Sequence, residues 1–169
     1  MLSLKQSLSL NTIRPLGGWQ PSDEGARLVA WYKNQTGISL NGLDVSRWSD
    51  STENGNHMVQ TVASKQPAYN SGAIRFVSAD VQSLQTTGTD IELSGTFTIG
   101  IKLNIAAAGG VIIGDNTETG EFFRLHTTTI LRIKIDNSTA DVQLDSGTWG
   151  EGYMVVTRNA SNVITLWWN

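Results

Sequence analysis

From Arg27 to the C-terminus the chain is a succession of short β-prone runs separated by turn residues, and this punctuation limits the fold more than any other feature. Leu28, Val29, Ala30, Trp31 and Tyr32 form an apolar run that suits a strand buried on both faces. Residues 43–48 alternate, with Leu43, Val45 and Arg47 on one face and Asp44, Ser46 and Trp48 on the other. Further runs fall at 58–62, 73–77, 81–85, 97–105, 111–113, 122–126, 130–135, 142–144, 153–157 and 163–168. Between them lie turn signals such as Asn54-Gly55, Asn70-Ser71-Gly72, Gly109-Gly110, Asp136-Asn137 and Asn159-Ala160-Ser161. Residues 23–33 contain one helical turn at most, because Val29, Trp31 and Tyr32 favour extended backbone. Many short strands at this spacing predict an all-β antiparallel sandwich or barrel.

The 169 residues suffice for one domain with a real core, and a hydrophobic content of 39% can fill it. Twelve basic against 15 acidic side chains give a net charge of -3, which argues against the concentrated basic surface that nucleic-acid binding requires. Without cysteine there are no disulfides and no thiolate metal sites. No apolar run is long enough for a membrane helix, and the N-terminus is a poor signal peptide. The expectation is a chain made in a cytoplasm, with no membrane or nucleic-acid partner and no cofactor.

Residues 1–23 read differently from 24–169. Leu2, Leu4, Leu8 and Leu10 alternate with polar residues, and Pro15, Gly17, Gly18 and Pro21 then interrupt any regular element. Such a segment is either an edge strand of the same domain or an arm that docks on a neighbour, with Leu16 and Trp19 as its hinge or anchor.

The residues of 24–169 carry a resemblance. Trp31, the stretch Val45-Ser46-Arg47-Trp48-Ser49-Asp50, then Asn54-Gly55-Asn56-His57 and Gln66-Pro67-Ala68-Tyr69 are similar to the opening strands of concanavalin A-like, laminin-G-like jelly rolls. Residues 73–77, 97–101, 153–158 and 163–166 resemble that family's later strands. With the leucine arm and the Pro15-Leu16-Gly17-Gly18-Trp19 hinge, the chain looks similar to structural proteins of tailed phages, particularly those of marine cyanobacteria. The resemblance implies a concanavalin A-like jelly-roll β-sandwich with an extended N-terminal arm. It also implies a virion location, as a capsid decoration or appendage subunit whose partners are other virion proteins and copies of itself. In the family, the strand like 163–168 is followed by a turn and further strands. The chain here stops at Asn169, so either the sequence is cut short or another chain supplies a partner strand.

Candidate chemistry is sparse. Asp90 and Glu92 are the nearest approach to paired carboxylates, and Asp115, Glu118 and Glu121 the nearest to a calcium-binding cluster. Solvated loops are the simpler reading of both. His57 and His126 are too few for a transition-metal site. No phosphate loop and no nucleophile elbow is present, and the expectation is a protein that is not an enzyme. Trp149, in the Gly-rich stretch Gly147-Thr148-Trp149-Gly150, is either an exposed platform for a host surface glycan or a packed loop anchor. The first option defines an alternative function, a carbohydrate-binding adhesin.

Overall fold

The computed structural model describes residues 19–87, 91, 93–114, 121–135, 138–144 and 147–169. The chain divides into two compact units, Met1–Asp90 and Ile91–Asn169. Both are built on antiparallel sheet, as the strand-and-turn pattern predicts.

In the first unit a short 3-10 segment, Pro21–Arg27, precedes β1 (Ile38–Asn41), β2 (Asp44–Trp48), β3 (Met58–Val59), β4 (Ala68–Asn70), β5 (Ala73–Arg75) and β6 (Gln85–Thr86). They form one six-stranded sheet in the order β5-β4-β2-β3-β6, with β1 paired to β2. Two hairpins follow from their turn residues. Ser71 and Gly72 join β4 to β5 at φ 51° and 81°, the paired positive values that a tight two-residue hairpin needs. Gly42, at φ 67°, opens the β1–β2 turn.

Three expectations for this unit need correction. Leu43 belongs to the β1–β2 turn rather than to a strand and is 78% exposed. The simple alternation along 43–48 is broken by a bulge. Ser39 pairs with Arg47 and Leu40 with Val45, so Ser46 is the extra residue, and Val45 is buried while Arg47 is exposed. Residues 28–32 are not a strand. Their backbone groups bond to side chains and to isolated backbone partners instead of a ladder.

The second unit contains β7 (Phe97–Asn104), β8 (Val111–Gly114), β9 (Phe122–Leu125), β10 (Ile130–Ile135), β11 (Ser138–Gln143), β12 (Glu151–Arg158) and β13 (Ile164–Trp168). A four-stranded sheet runs β11-β10-β9-β8 and a three-stranded sheet runs β13-β12-β7. Their apolar faces meet in one core of Phe123, Leu125, Leu131, Ile133, Ile135, Met154 and Val156, flanked by Leu93 and Trp149. The period-two pattern of β7 and β10 explains the packing. Ile99, Ile101 and Leu103 turn inward while Thr98, Gly100 and Lys102 face out, and Leu131, Ile133 and Ile135 are buried between Arg132 and Lys134. At about 1.5–3 kcal/mol for each fully buried large side chain, this cluster is the main stabilising element of the unit.

Arg158 ends β12 at an inward position and is only 7% exposed. Its Nη1 donates to the backbone oxygens of Leu93 and Ser94, and more weakly to that of Gly95, fixing the chain that leads into β7. A guanidinium is suited to this task because its fork of donors satisfies several carbonyls at once.

Candidate functional site

The tryptophan–aspartate–glycine–asparagine pattern of residues 31–57 forms a polar clamp centred on Asp50. The Asp50 carboxylate accepts hydrogen bonds from the Trp31 N–H (2.8 Å), the Thr52 N–H (2.9 Å), the Thr52 hydroxyl (2.5 Å) and the Asn56 N–H (3.2 Å). Burial pushes its pKa up, but these four donors outweigh burial and hold it below the usual carboxylate value. The Asp50 N–H in turn donates to Nδ1 of His57 at 3.1 Å. Asn54 Nδ2 donates to the carbonyls of Leu28 and Val29, and Asn56 Nδ2 also reaches Val29. Trp48 Nε1 donates to the Lys33 carbonyl at 2.9 Å, and the Tyr32 hydroxyl donates to the Asn56 carbonyl. Burial raises the Tyr32 pKa to about 12, with the Asp50 charge adding to the effect. Gly55, at φ 73°, permits the turn that brings Asn54 and Asn56 to one segment. This constellation is architectural. Its polar groups face the protein's own backbone, which is why an apolar run at 28–32 is held without being a strand.

Trp19 is the first of the described residues. It is 66% exposed, yet its Nε1 is tied to Glu24 Oε1 at 3.1 Å. The Asp23 carboxylate accepts the Gln20 N–H at 3.0 Å and the Asp23 N–H returns to the Gln20 carbonyl at 2.9 Å, closing the start of the 3-10 segment. Glu24 also pairs with Arg27 at 3.1 Å. The result is an exposed indole joined to the 3-10 segment by one hydrogen bond. The other arm residues singled out in the sequence, Leu2, Leu4, Leu8, Leu10 and Leu16, lie outside the described residues.

Trp149 is not an exposed platform. It is 6% exposed and packs in the second unit's core, edge-on to Trp168 with ring centroids 5.1 Å apart and planes at 84°. Its backbone N–H donates to the Thr128 carbonyl, while its indole Nε1 is buried without a partner among the described residues. The packed-anchor alternative therefore describes it. Beside it is a shallow pocket of about 170 Å³ lined by Ile105, Ala106, Ala107, Ala108, Thr128 and Thr148. This lining offers two hydroxyls and no charge.

The carboxylates of the sequence reading contribute little that is visible. Asp90, Glu92, Asp115 and Glu118 lie outside the described residues, and Glu121 has an interaction of its own. Among the described residues no group of three or more His, Cys, Asp or Glu side chains is close enough to hold a metal. Arg132 and Asp141, paired across β10 and β11 at 2.7 Å, form an ion pair on the outer face of the four-stranded sheet.

A different pair of aromatics, Tyr153 and Trp167, is more than half exposed, and the sequence reading did not select it for binding. The signal was present in the alternation of 153–158 and 163–168, which puts both residues on the face opposite Met154, Val156 and Leu166.

The chain matches no known protein family, and no curated protein or solved structure matches it.

Proposed function

We propose that this chain is a structural subunit of a tailed-phage virion. In this reading it is a jelly-roll module that joins other virion proteins, and copies of itself, through residues 1–18 and the adjoining Trp19. The resemblance of residues 31–69 and of the arm and hinge to such proteins supports the reading, as does the all-β antiparallel architecture. The observation that carries it is Trp19. A large indole that is 66% exposed, with its N–H already bonded to Glu24, offers a partner apolar area to bury without leaving a polar group unpaired. Burial of Trp19 and a few arm leucines, at about 1.5–3 kcal/mol each before ordering costs, holds a subunit firmly only when many copies act together.

The test is incorporation into particles. Removing residues 1–14 abolishes incorporation while the circular dichroism of the remaining chain keeps its β signature, and Trp19→Ala weakens incorporation. Unimpaired incorporation of the truncated chain overturns the proposal.

A further inference from the structure

The two outer faces of the second unit differ in chemistry. The four-stranded sheet presents Arg124, Arg132, Lys134 and Asp141 beside the half-exposed Val111, a mainly charged surface. The three-stranded sheet presents aromatic rings and hydroxyls. Its register places Trp167 beside Val155 and Val155 beside Gly100, with Tyr153 beside Lys102 in the next row. On the other side runs a row of three threonines, Thr165, Thr157 and Thr98. Trp167 is 52% and Tyr153 58% exposed, and as diagonal neighbours across an antiparallel pair they stand roughly 7–8 Å apart at their backbones. At Gly100 the floor is open, since a Cβ built there meets no atom within 4 Å. Lys102 is bound to Glu151 at 3.4 Å and lies 5.7 Å over the Tyr153 ring, so the formal charges of this face cancel.

From this we infer that the outer face of β7, β12 and β13 binds a neutral oligosaccharide, with Trp167 and Tyr153 as its stacking platform. The C–H face of a pyranose offers aromatic rings apolar area, and its hydroxyls match the threonine row and Asn104 at the end of β7. Charge decides the ligand class. A face with one paired cation and one paired anion gives no attraction to a polyanion, whereas a neutral polyhydroxylated chain loses nothing by docking there. The residues that form it all belong to the second unit.

The test uses the full chain in affinity electrophoresis through gels containing dextran, laminarin or galactomannan, with dextran sulfate as the charged control. The expected result is retardation by at least one neutral polymer, with quenching of tryptophan fluorescence. Trp167→Ala weakens this binding about tenfold, the effect of losing one stacking contact. Gly100→Val does the same by filling the floor, and because a Cβ there meets no atom within 4 Å and valine favours a strand, its melting temperature stays level or rises. Trp19→Ala leaves the retardation unchanged. No retardation by any of the three neutral polymers overturns the inference, as does retardation by dextran sulfate alone. Retardation that survives both Trp167→Ala and Gly100→Val overturns it too. So does a concentration-dependent dimer that Trp167→Ala dissolves, which would make a second copy the occupant.

Discussion

Removing the Asp50 carboxylate should be among the most damaging single changes in the first unit. Asp50 is 6% exposed and accepts from three backbone N–H groups and one hydroxyl. Asp50→Ala strands the N–H groups of Trp31, Thr52 and Asn56, and each buried donor left unsatisfied costs about 1–3 kcal/mol. Because part of the site rehydrates, the expected loss is about 3–5 kcal/mol, a large share of the ~5–15 kcal/mol that holds a typical domain together. Asp50→Asn keeps one acceptor oxygen but turns an amide toward the donors, and should lose about half as much. Urea unfolding gives the total. Hydrogen exchange of residues 28–33 and 50–57, read by peptide mass spectrometry, shows where the protection is lost. The pH dependence has a definite sign. The folded pKa of Asp50 lies below its unfolded value, so its stabilisation is complete above about pH 4 and fades as pH falls through the folded pKa. The gap between wild type and Asp50→Asn therefore narrows on acidification below that point. A loss under 1 kcal/mol for Asp50→Ala, with exchange at 28–33 unchanged, refutes the clamp.

Other changes probe the remaining elements. Trp149→Phe removes the unpartnered buried N–H while keeping most of the ring, so thermal unfolding should shift little or upward, whereas Trp149→Ala should cost about 3–5 kcal/mol. Gly114→Ala should destabilise by more than about 1 kcal/mol, because at φ 137° its Cβ would lie 2.3 Å from the Glu121 carbonyl oxygen. Arg158→Met should cost about 2–4 kcal/mol in chemical denaturation by leaving the 93–95 carbonyls without their buried donor, and Arg158→Lys should recover only part of it. In an ultraviolet titration, the phenolate component missing from Tyr32→Phe should be the one that titrates near pH 12.

The sequence carried much of the fold, and where it misled, the causes are local. Residues 97–104 and 130–135 alternate cleanly, and the structure keeps both as strands that contribute to one core. The Asn70-Ser71-Gly72 turn was legible from its cluster of turn-forming residues, and Gly72 takes one of the two positive φ values while Ser71 takes the other. Residues 28–32 misled because an apolar β-branched and aromatic run says that backbone is extended and half buried, not what its N–H groups bond to. Here the Trp31 N–H bonds to Asp50, and the Leu28 and Val29 carbonyls accept from Asn54 and Asn56, all about 20 residues or more onward. The bulge at Ser46 has no signature in a single sequence, yet it reverses which face Arg47 occupies. Trp149 shows the limit of composition-based site reading. A tryptophan flanked by glycines is open to either exposure or burial, and only the position of Trp168 against it decides. Tyr153 and Trp167 were readable as outward-facing from the same alternation that buries Met154 and Val156, but their adjacency depends on the β12–β13 register.

The most direct measurement of the central claim is the copy number of this protein in purified particles, by quantitative mass spectrometry, comparing the full chain with a chain lacking residues 1–14. Many copies of the full chain per particle and almost none of the truncated one are expected. Equal incorporation of the two chains, or the absence of both from the particle, would contradict it.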